Sequence, residues 1–268
     1  MIDVLLSSFL LSVVLLGIHS YYGLHIIQRG IIFTDLAIGQ MAALGAAVAI
    51  LLFHDQYMYP VSLAFSLAGA LIIAFMSKRS RSLEAFIGLF FAFGMSAAVI
   101  VLSRSPHGAE DLQKLMAADI LFVPVASVVR TAVLYAVIGL IIFFLSPRLT
   151  GLMKDLLFFG TFSIVVTNAV DLAGVLVVFA VLVAPAFIMS SFECSFTRRL
   201  IGAWVIGTVL NCAAITGSYF LDLPTGHTVV AIYALSGIVF ALIRGRKARA
   251  CVGTEESPAG GGGEKEAP

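Results

Sequence analysis

Charged side chains are scarce in this sequence, since Asp, Glu, Lys and Arg make up only 12% of its 268 residues. Soluble domains carry roughly 25% of such residues. Apolar residues account for 60% of the chain, and the mean hydropathy is +1.07. This composition predicts an all-α, polytopic membrane protein that spans a lipid bilayer. The net charge of +1 gives no indication of a nucleic-acid partner.

Cysteines are few, and the sequence motifs of several enzyme classes are missing. Cys194, Cys212 and Cys251 form no CxxC pair, so neither a structural zinc site nor a disulfide framework is indicated. The chain has no HExxH, GxGD or GxSG motif, which argues against an intramembrane protease. It also lacks GxxxxGKS/T, the loop that cradles ATP phosphates. We therefore predict no enzyme and no cofactor in this chain, and any ATPase would be a separate subunit.

Long apolar runs, in contrast, fill most of the chain. A window of about 19 residues marks nine of them as candidate membrane spans. They cover residues 4–27, 31–53, 61–76, 84–102, 120–145, 155–169, 172–190, 201–221 and 228–243. The segments 155–169 and 172–190 are short and close together, so they form either two spans or a broken pair. The sequence predicts a helical bundle of about 8–9 transmembrane helices, the first of which is retained because no basic region precedes it.

The basic residues predict the orientation of these spans. If the N-terminus is outside, the connections on the inner side carry most of the Lys and Arg residues, as cytoplasmic loops do. These residues are Arg29, Lys78, Arg79, Arg81, Arg148, Lys154, Arg198, Arg199, Arg244, Arg246, Lys247 and Arg249. Only Arg104, Lys114 and Arg130 fall on the outer side.

The composition changes abruptly after residue 249. Residues 250–268 contain four consecutive glycines and scattered Glu, which cannot bury apolar surface. We predict a transmembrane domain at 1–249 and a disordered cytoplasmic tail at 250–268.

Four stretches carry a resemblance to a known family. They are "GLHIIQRGIIFTDLAIGQMAALGAAVA" (Gly23–Ala49), "AADILFV" (Ala117–Val123), "DLAGVLVVFAVLVAPAF" (Asp171–Phe187) and "SYFLDLPTGHTVV" (Ser218–Val230). In this order they resemble the permease subunit of the ABC transporters that import zinc, manganese or iron ions.

This resemblance implies a complete transport system in the bacterial inner (plasma) membrane. Two permease copies would form a homodimer, two cytoplasmic ATP-binding subunits would hydrolyse ATP, and an extracytoplasmic metal-binding protein would deliver a divalent ion such as zinc or manganese. Two alternatives stay open: a permease for metal chelates or cobalamin-like ligands, and a diverged transporter that is no longer coupled to an ATPase.

Asp35 and Gln40 are the principal candidates for the substrate pathway, because relatives place an acid and a histidine four residues apart in this span. Here Gln40 stands five residues after Asp35, and an ideal helix would point the two side chains about 140° apart. Asp35 is the best candidate for a metal contact, although it could instead snorkel, cap or pair near the cytoplasmic end, or make an assembly contact. Gln40 lies deeper in the span, where an interhelical hydrogen bond is the role that we favour for it. His25 and Asp171 are further pathway candidates, with ordinary packing as the alternative for His25.

Polar residues also gather in the predicted outer connections. His54, His107, Asp222 and His227 are candidates for an extracellular mouth that collects cations or docks a binding protein. Asp55, Glu110 and Asp111 adjoin them in the sequence. The alternative is a solvated rim without a specific role.

A cytoplasmic segment at 146–157 is the candidate for ATPase coupling. Relatives carry a coupling helix with a pattern like DPELAxxxG, and the matching segment "SPRLTGLMKDLL" is shorter by more than a helical turn. Pro147, Arg148, Leu149 and Gly151 are the predicted remnant. We therefore expect the docking element to be altered or lost, with coupling through other cytoplasmic loops as the alternative.

Overall fold

The protein is described here by a computed structural model, which covers residues 2–54, 56–77, 82–116, 120 and 123–252. The predicted tail at 250–268 falls mainly on residues 253–268, which lie outside this range. Most of the "AADILFV" stretch, Asp55 and the basic loop at 78–81 lie outside it as well.

Ten α-helices make up the described part of the chain. They are α1 (Ile2–Arg29), α2 (Thr34–Phe53), α3 (Met58–Met76), α4 (Leu83–Leu102), α5 (Gly108–Met116), α6 (Val125–Leu145), α7 (Gly151–Ala173), α8 (Val175–Ser190), α9 (Phe196–Leu221) and α10 (Thr225–Val252). Eight of them are long and apolar enough to cross a membrane, and α8 is a shorter apolar helix. The predicted all-α membrane bundle of about 8–9 spans is therefore confirmed, and the chain is a multi-pass membrane protein.

The pair of segments that the sequence left undecided consists of one long and one short helix. α7 has 23 residues and α8 has 16, with Gly174 alone between them. Gly174 has φ +84°, a conformation that favours glycine because it has no Cβ. At 1.5 Å per residue, α8 is about 24 Å long, which is less than the roughly 30 Å hydrocarbon core of a bilayer.

The helices α2 and α8 lie at the centre of the bundle. α2 contacts α3, α4, α7 and α8, whereas α8 contacts α1, α9 and α10 as well as α2. Glycines permit the closest of these approaches. A Cβ at Gly45 would lie 2.7 Å from the Ser62 Cα in α3, and a Cβ at Gly23 in α1 would collide with the carbonyl oxygen of Leu182 in α8. Gly45 and Gly23 therefore lie where helices pack backbone to backbone.

Basic residues gather at one end of the bundle. Arg29 at the end of α1 pairs with Asp155 near the start of α7 at 3.1 Å. Arg244 of α10 lies over the Phe192 ring, just after α8, with its guanidinium carbon 5.9 Å from the ring centre. Because cytoplasmic loops are rich in Lys and Arg, we name this the cytoplasmic end and the opposite one the outer end.

Hydroxyl groups are paired inside the bundle. Ser66 of α3 contacts the hydroxyls of Ser163 and Thr167 in α7, and Tyr22 of α1 donates to Thr161 at 2.9 Å. Tyr233 of α10 donates to the Asn211 amide oxygen at 2.8 Å. Since most buried polar groups find partners, those that do not are informative.

Candidate functional site

Asp35 is a buried acid without a partner. It lies in the first turn of α2, and its side chain is only 2% exposed. Neither of its carboxylate oxygens has a hydrogen-bond partner among the described residues. Arg29, the nearest basic residue before Asp35 in the sequence, pairs with Asp155 instead. The role of Asp35 stays a prediction. An acid at the centre of a span costs about 2.5–3.5 kcal/mol even on the lenient insertion scale, and a buried acid nearer the end of a span is also costly, so we expect a compensating group beyond the described residues.

Gln40 faces a different part of the protein. Its amide nitrogen contacts the Met116 sulfur of α5 at 3.8 Å, and a Cβ on Gly94 of α4 would lie 3.0 Å from the Gln40 Cβ. The predicted interhelical contact is thus present, although its acceptor is a weak one. The amide oxygen of Gln40 is buried and has no partner in the described structure.

The neighbours of Gly39 show which way Asp35 points. A Cβ on Gly39 would lie 3.1 Å from Val175 of α8 and 3.7 Å from Val170 of α7. Residues four apart share a helix face, so Asp35 lies on this α7 and α8 side, whereas Gln40 lies on the α4 and α5 side. The two oxygen-bearing side chains therefore do not converge within one copy of the chain.

His25 and Asp171 lie apart from these two residues. The His25 ring packs 4.3 Å from Tyr21 and 4.9 Å from Phe196, and its Nδ1 lies 2.9 Å from the Tyr21 carbonyl oxygen. It sits at the cytoplasmic end. Asp171 is exposed near the C-terminal end of α7, toward the outer end of the bundle. Their roles in a pathway stay predictions.

Metal-ligating side chains do not cluster in the described residues. No three His, Cys, Asp or Glu side chains lie close enough together there to hold an ion. Since structural metal sites need three or four ligands, the described residues form no closed metal site within one copy of the chain.

The outer end contains a depression of about 620 Å³, and two predicted mouth residues line it. His54 and His107 lie there with Glu110 and Asp111 of α5. Asp222 and His227 are exposed in and just after the connection between α9 and α10, and they do not line this depression. We name the depression the outer mouth.

The helix α5 is the element that sequence reasoning missed. It begins at the outer mouth and ends at Met116, against Gln40. Its acids Glu110 and Asp111 lie in its first turn and Lys114 in its last, which complements the helix dipole. This order, with acids first and a lysine last, was the feature of the sequence from which the helix could have been predicted.

The predicted coupling segment contains no helix of its own. α6 ends at Leu145 and α7 begins at Gly151, so only residues 146–150 connect them. Pro147, Arg148 and Gly151 are exposed at the cytoplasmic end, and Leu149 is half-buried. The structure thus agrees with a shortened segment, and its coupling role stays a prediction.

Comparison with known proteins identifies the family to which this architecture belongs. A sequence model of the ABC 3 transport family matches residues 1–244. The chain belongs to the ABC 3 transport family. This family supplies membrane permease components of ABC transporters, so the resemblance inferred from the four stretches is confirmed.

Relatives of this ABC 3 family member are similar over most of its length. The "Probable iron transport system membrane protein" of Haemophilus influenzae is 25% identical over 256 residues, which cover 88% of this chain and 89% of the relative. The "Probable metal transport system membrane protein" of Thermotoga maritima is 28% identical over 207 residues, covering 72% of this chain and 73% of the relative. The solved structure of PsaBC from Streptococcus pneumoniae in complex with Fab matches the fold with a TM-score of 0.72 at 18% identity, covering 87% of this chain and 89% of that one.

Proposed function

We propose that this chain is the permease subunit of an ATP-driven importer of divalent metal ions in the bacterial inner membrane. The observation that carries the proposal is the buried, unpaired carboxylate of Asp35 on the central helix α2 of an ABC 3 family member. A transported cation supplies the opposite charge that the described residues do not provide. Relatives whose names refer to metal and iron transport support this cargo class.

The available donors favour an oxygen-seeking ion. Asp35 offers two carboxylate oxygens and Gln40 an amide oxygen, each without a partner in the part of the chain described. Oxygen donors suit manganese better than zinc, which favours nitrogen and sulfur ligands. Because Asp35 and Gln40 face opposite sides of α2, an ion would contact them in succession or between two copies of the chain.

The complete importer contains further subunits. A second copy of the permease, a cytoplasmic ATP-binding subunit and an extracytoplasmic metal-binding protein are the proposed partners. ATP hydrolysis belongs to the ATP-binding subunit, because this chain lacks the phosphate-binding loop. The outer mouth is the proposed docking place for the metal-binding protein, since exposed charges steer association.

A second candidate function is transport without an ATPase. It is favoured by one observation, the absence of a helix in the described connection between α6 and α7. In the importer proposal, this short connection and other cytoplasmic loops contact the ATPase instead.

Reconstituted uptake distinguishes the two functions. Proteoliposomes containing this chain, its ATP-binding subunit and its metal-binding protein should accumulate manganese or zinc only when ATP is present on the ATPase side. A non-hydrolysable ATP analogue serves as the control. Accumulation that is equal with and without ATP hydrolysis would support uncoupled transport and overturn the importer proposal.

Neutralising the acids of the outer mouth should weaken delivery of the ion. The double substitution Glu110→Gln and Asp111→Asn should raise the half-saturating concentration of the metal-binding protein by about two- to tenfold with an unchanged maximal rate, because rim charges mainly steer encounter. The effect should shrink at high salt. Glu84→Gln, at an exposed acid in the first turn of α4 at the cytoplasmic end, is the control. An unchanged half-saturation at low salt would exclude the outer mouth as a docking place.

A further inference from the structure

An open groove runs between α1 and α6. It has a volume of about 620 Å³ and is lined along α1 by Val13, Gly17 and Tyr21, and along α6 by Gly139 and Ile142. Cβ atoms at Gly17 and Gly139 would meet no other atom within 4 Å, so the space beside these glycines is empty of protein. Most of the groove surface is apolar. A cavity of this kind in the membrane needs an apolar occupant.

A smaller polar pocket continues the groove at the cytoplasmic end. It measures about 100 Å³ and shares Tyr21 and Ile142 with the groove, and it adds His25, Arg29 and Lys154. In the described part of the chain Arg29 pairs with Asp155, whereas no ion pair is present at Lys154. The pocket therefore carries one cation that is not neutralised. The pocket is therefore suited to bind an anion directly at the end of the apolar groove.

The length of the groove matches the thickness of one leaflet of a bilayer. The groove extends along α1 from Val13 to Tyr21, which is eight residues or about 12 Å of helix. Half of the roughly 30 Å hydrocarbon core is about 15 Å. The polar pocket thus lies where phosphate groups of the cytoplasmic leaflet are found, and that leaflet attracts basic residues because its lipids are anionic.

We infer that this groove is a binding site for one anionic phospholipid of the cytoplasmic leaflet. One acyl chain lies along α1 and α6, and the phosphate contacts Lys154, with Arg29 and His25 beside it. A second copy of the chain is the less suitable occupant, because an apolar helix face would leave the Lys154 charge without an anion.

The site adjoins the connection between α6 and α7. Pro147, which belongs to the predicted coupling segment, lines the groove beside Ser146, and Ser146 also lines the polar pocket. A bound lipid therefore supports this connection at the membrane surface, on the side where an ATPase would dock.

The preference of the site for an anionic lipid can be tested by native mass spectrometry of the full chain in detergent. The dissociation constant of phosphatidylglycerol should be at least about fivefold lower than that of phosphatidylcholine, because the attraction of one membrane-surface Lys for an anionic lipid corresponds to about a fivefold change in affinity. Lys154→Gln should abolish this preference and leave phosphatidylcholine binding unchanged. Lys114→Gln, at the outer end, is the matched control and should keep the preference. Equal binding of both lipids to the unmodified protein, or an unchanged preference in Lys154→Gln, would overturn the site.

The apolar half of the site has its own pair of variants. Gly139→Leu places a side chain in the groove and should reduce binding of both lipids about fivefold or more. Gly88→Leu makes the same change in α4 at a position that also has no atom within 4 Å, and should leave binding unchanged. If Gly139→Leu leaves lipid binding unchanged and instead breaks a dimer, the groove is an interface between copies of the chain and the lipid site is wrong. The Lys154→Gln result decides the question separately if Gly139→Leu fails to fold.

Discussion

Replacing Asp35 with Asn should lower ATP-dependent metal uptake about tenfold or more while the protein stays folded. The carboxylate is buried and has no partner among the described residues, and in the proposed importer its charge attracts the cargo. Loss of a charge attraction of about 1.4 kcal/mol corresponds to a tenfold loss. Because Asn removes a buried charge without changing the side-chain shape, thermal stability should be equal or higher. Initial uptake rates in proteoliposomes and thermal unfolding in detergent measure the two effects.

The two readouts separate a pathway role from a structural one. Normal uptake together with a lowered unfolding temperature would show that Asp35 serves the fold, and would remove the observation on which the proposed cargo depends. Glu84→Gln, at an exposed acid in the first turn of α4, should leave uptake unchanged and shift the unfolding temperature little, and it is the control. Gln40→Leu should impair uptake by a smaller factor, because a neutral amide interacts less strongly with a cation than a carboxylate does.

Replacing Gly45 with Ala should destabilise the bundle by about 1–3 kcal/mol, the usual cost of overpacking. A Cβ at this position would lie 2.7 Å from the Ser62 Cα and 2.8 Å from the Val61 carbonyl oxygen, so α2 and α3 must separate. Gly45→Leu should prevent a monodisperse protein from being purified. The measurements are thermal unfolding and size-exclusion chromatography in the same detergent.

The matched control for this substitution should change the stability in the opposite direction. Gly88→Ala in α4 meets no atom within 4 Å, so it should stabilise by up to about 1 kcal/mol through the higher helix propensity of Ala. Equal unfolding temperatures for Gly45→Ala and Gly88→Ala would mean that α2 and α3 do not pack as closely as the structure shows.

The helices could be predicted from sequence because each apolar run is long enough to cross a bilayer on its own. All nine predicted segments correspond to helices, although the ends differ by several residues; the segment predicted at 155–169, for example, is part of the 23-residue α7. The one element that was missed, α5, is short and polar, so hydropathy does not register it. Its position depends on contacts with α4 and Gln40, which no local pattern encodes.

The candidate site could be predicted only in part. Sequence indicated that Asp35 and Gln40 lie on one helix and that the ideal helical angle separates them, and the positions of Gly39 and Gly94 agree. It could not indicate that Asp35 lacks a partner among the described residues, because side-chain pairing depends on the tertiary fold; Arg29, for example, pairs with an acid 126 positions away. The sequence could not indicate the outer mouth either, because residues from α2 and α5 that are more than 50 positions apart in sequence meet there.

The shortness of α8 has a consequence for how the protein responds to membrane thickness. No residue of α8 is exposed and most of its 16 residues are buried, so protein rather than lipid forms most of its surroundings. Hydrophobic mismatch acts only on surfaces that contact acyl chains. The bilayer therefore matches its thickness to the long, outward-facing helices α4, α6, α9 and α10, and the central pair of α2 and α8 is insulated from that strain. Lipids with longer or shorter tails should change the tilt of the outer helices and leave the surroundings of Asp35 unchanged.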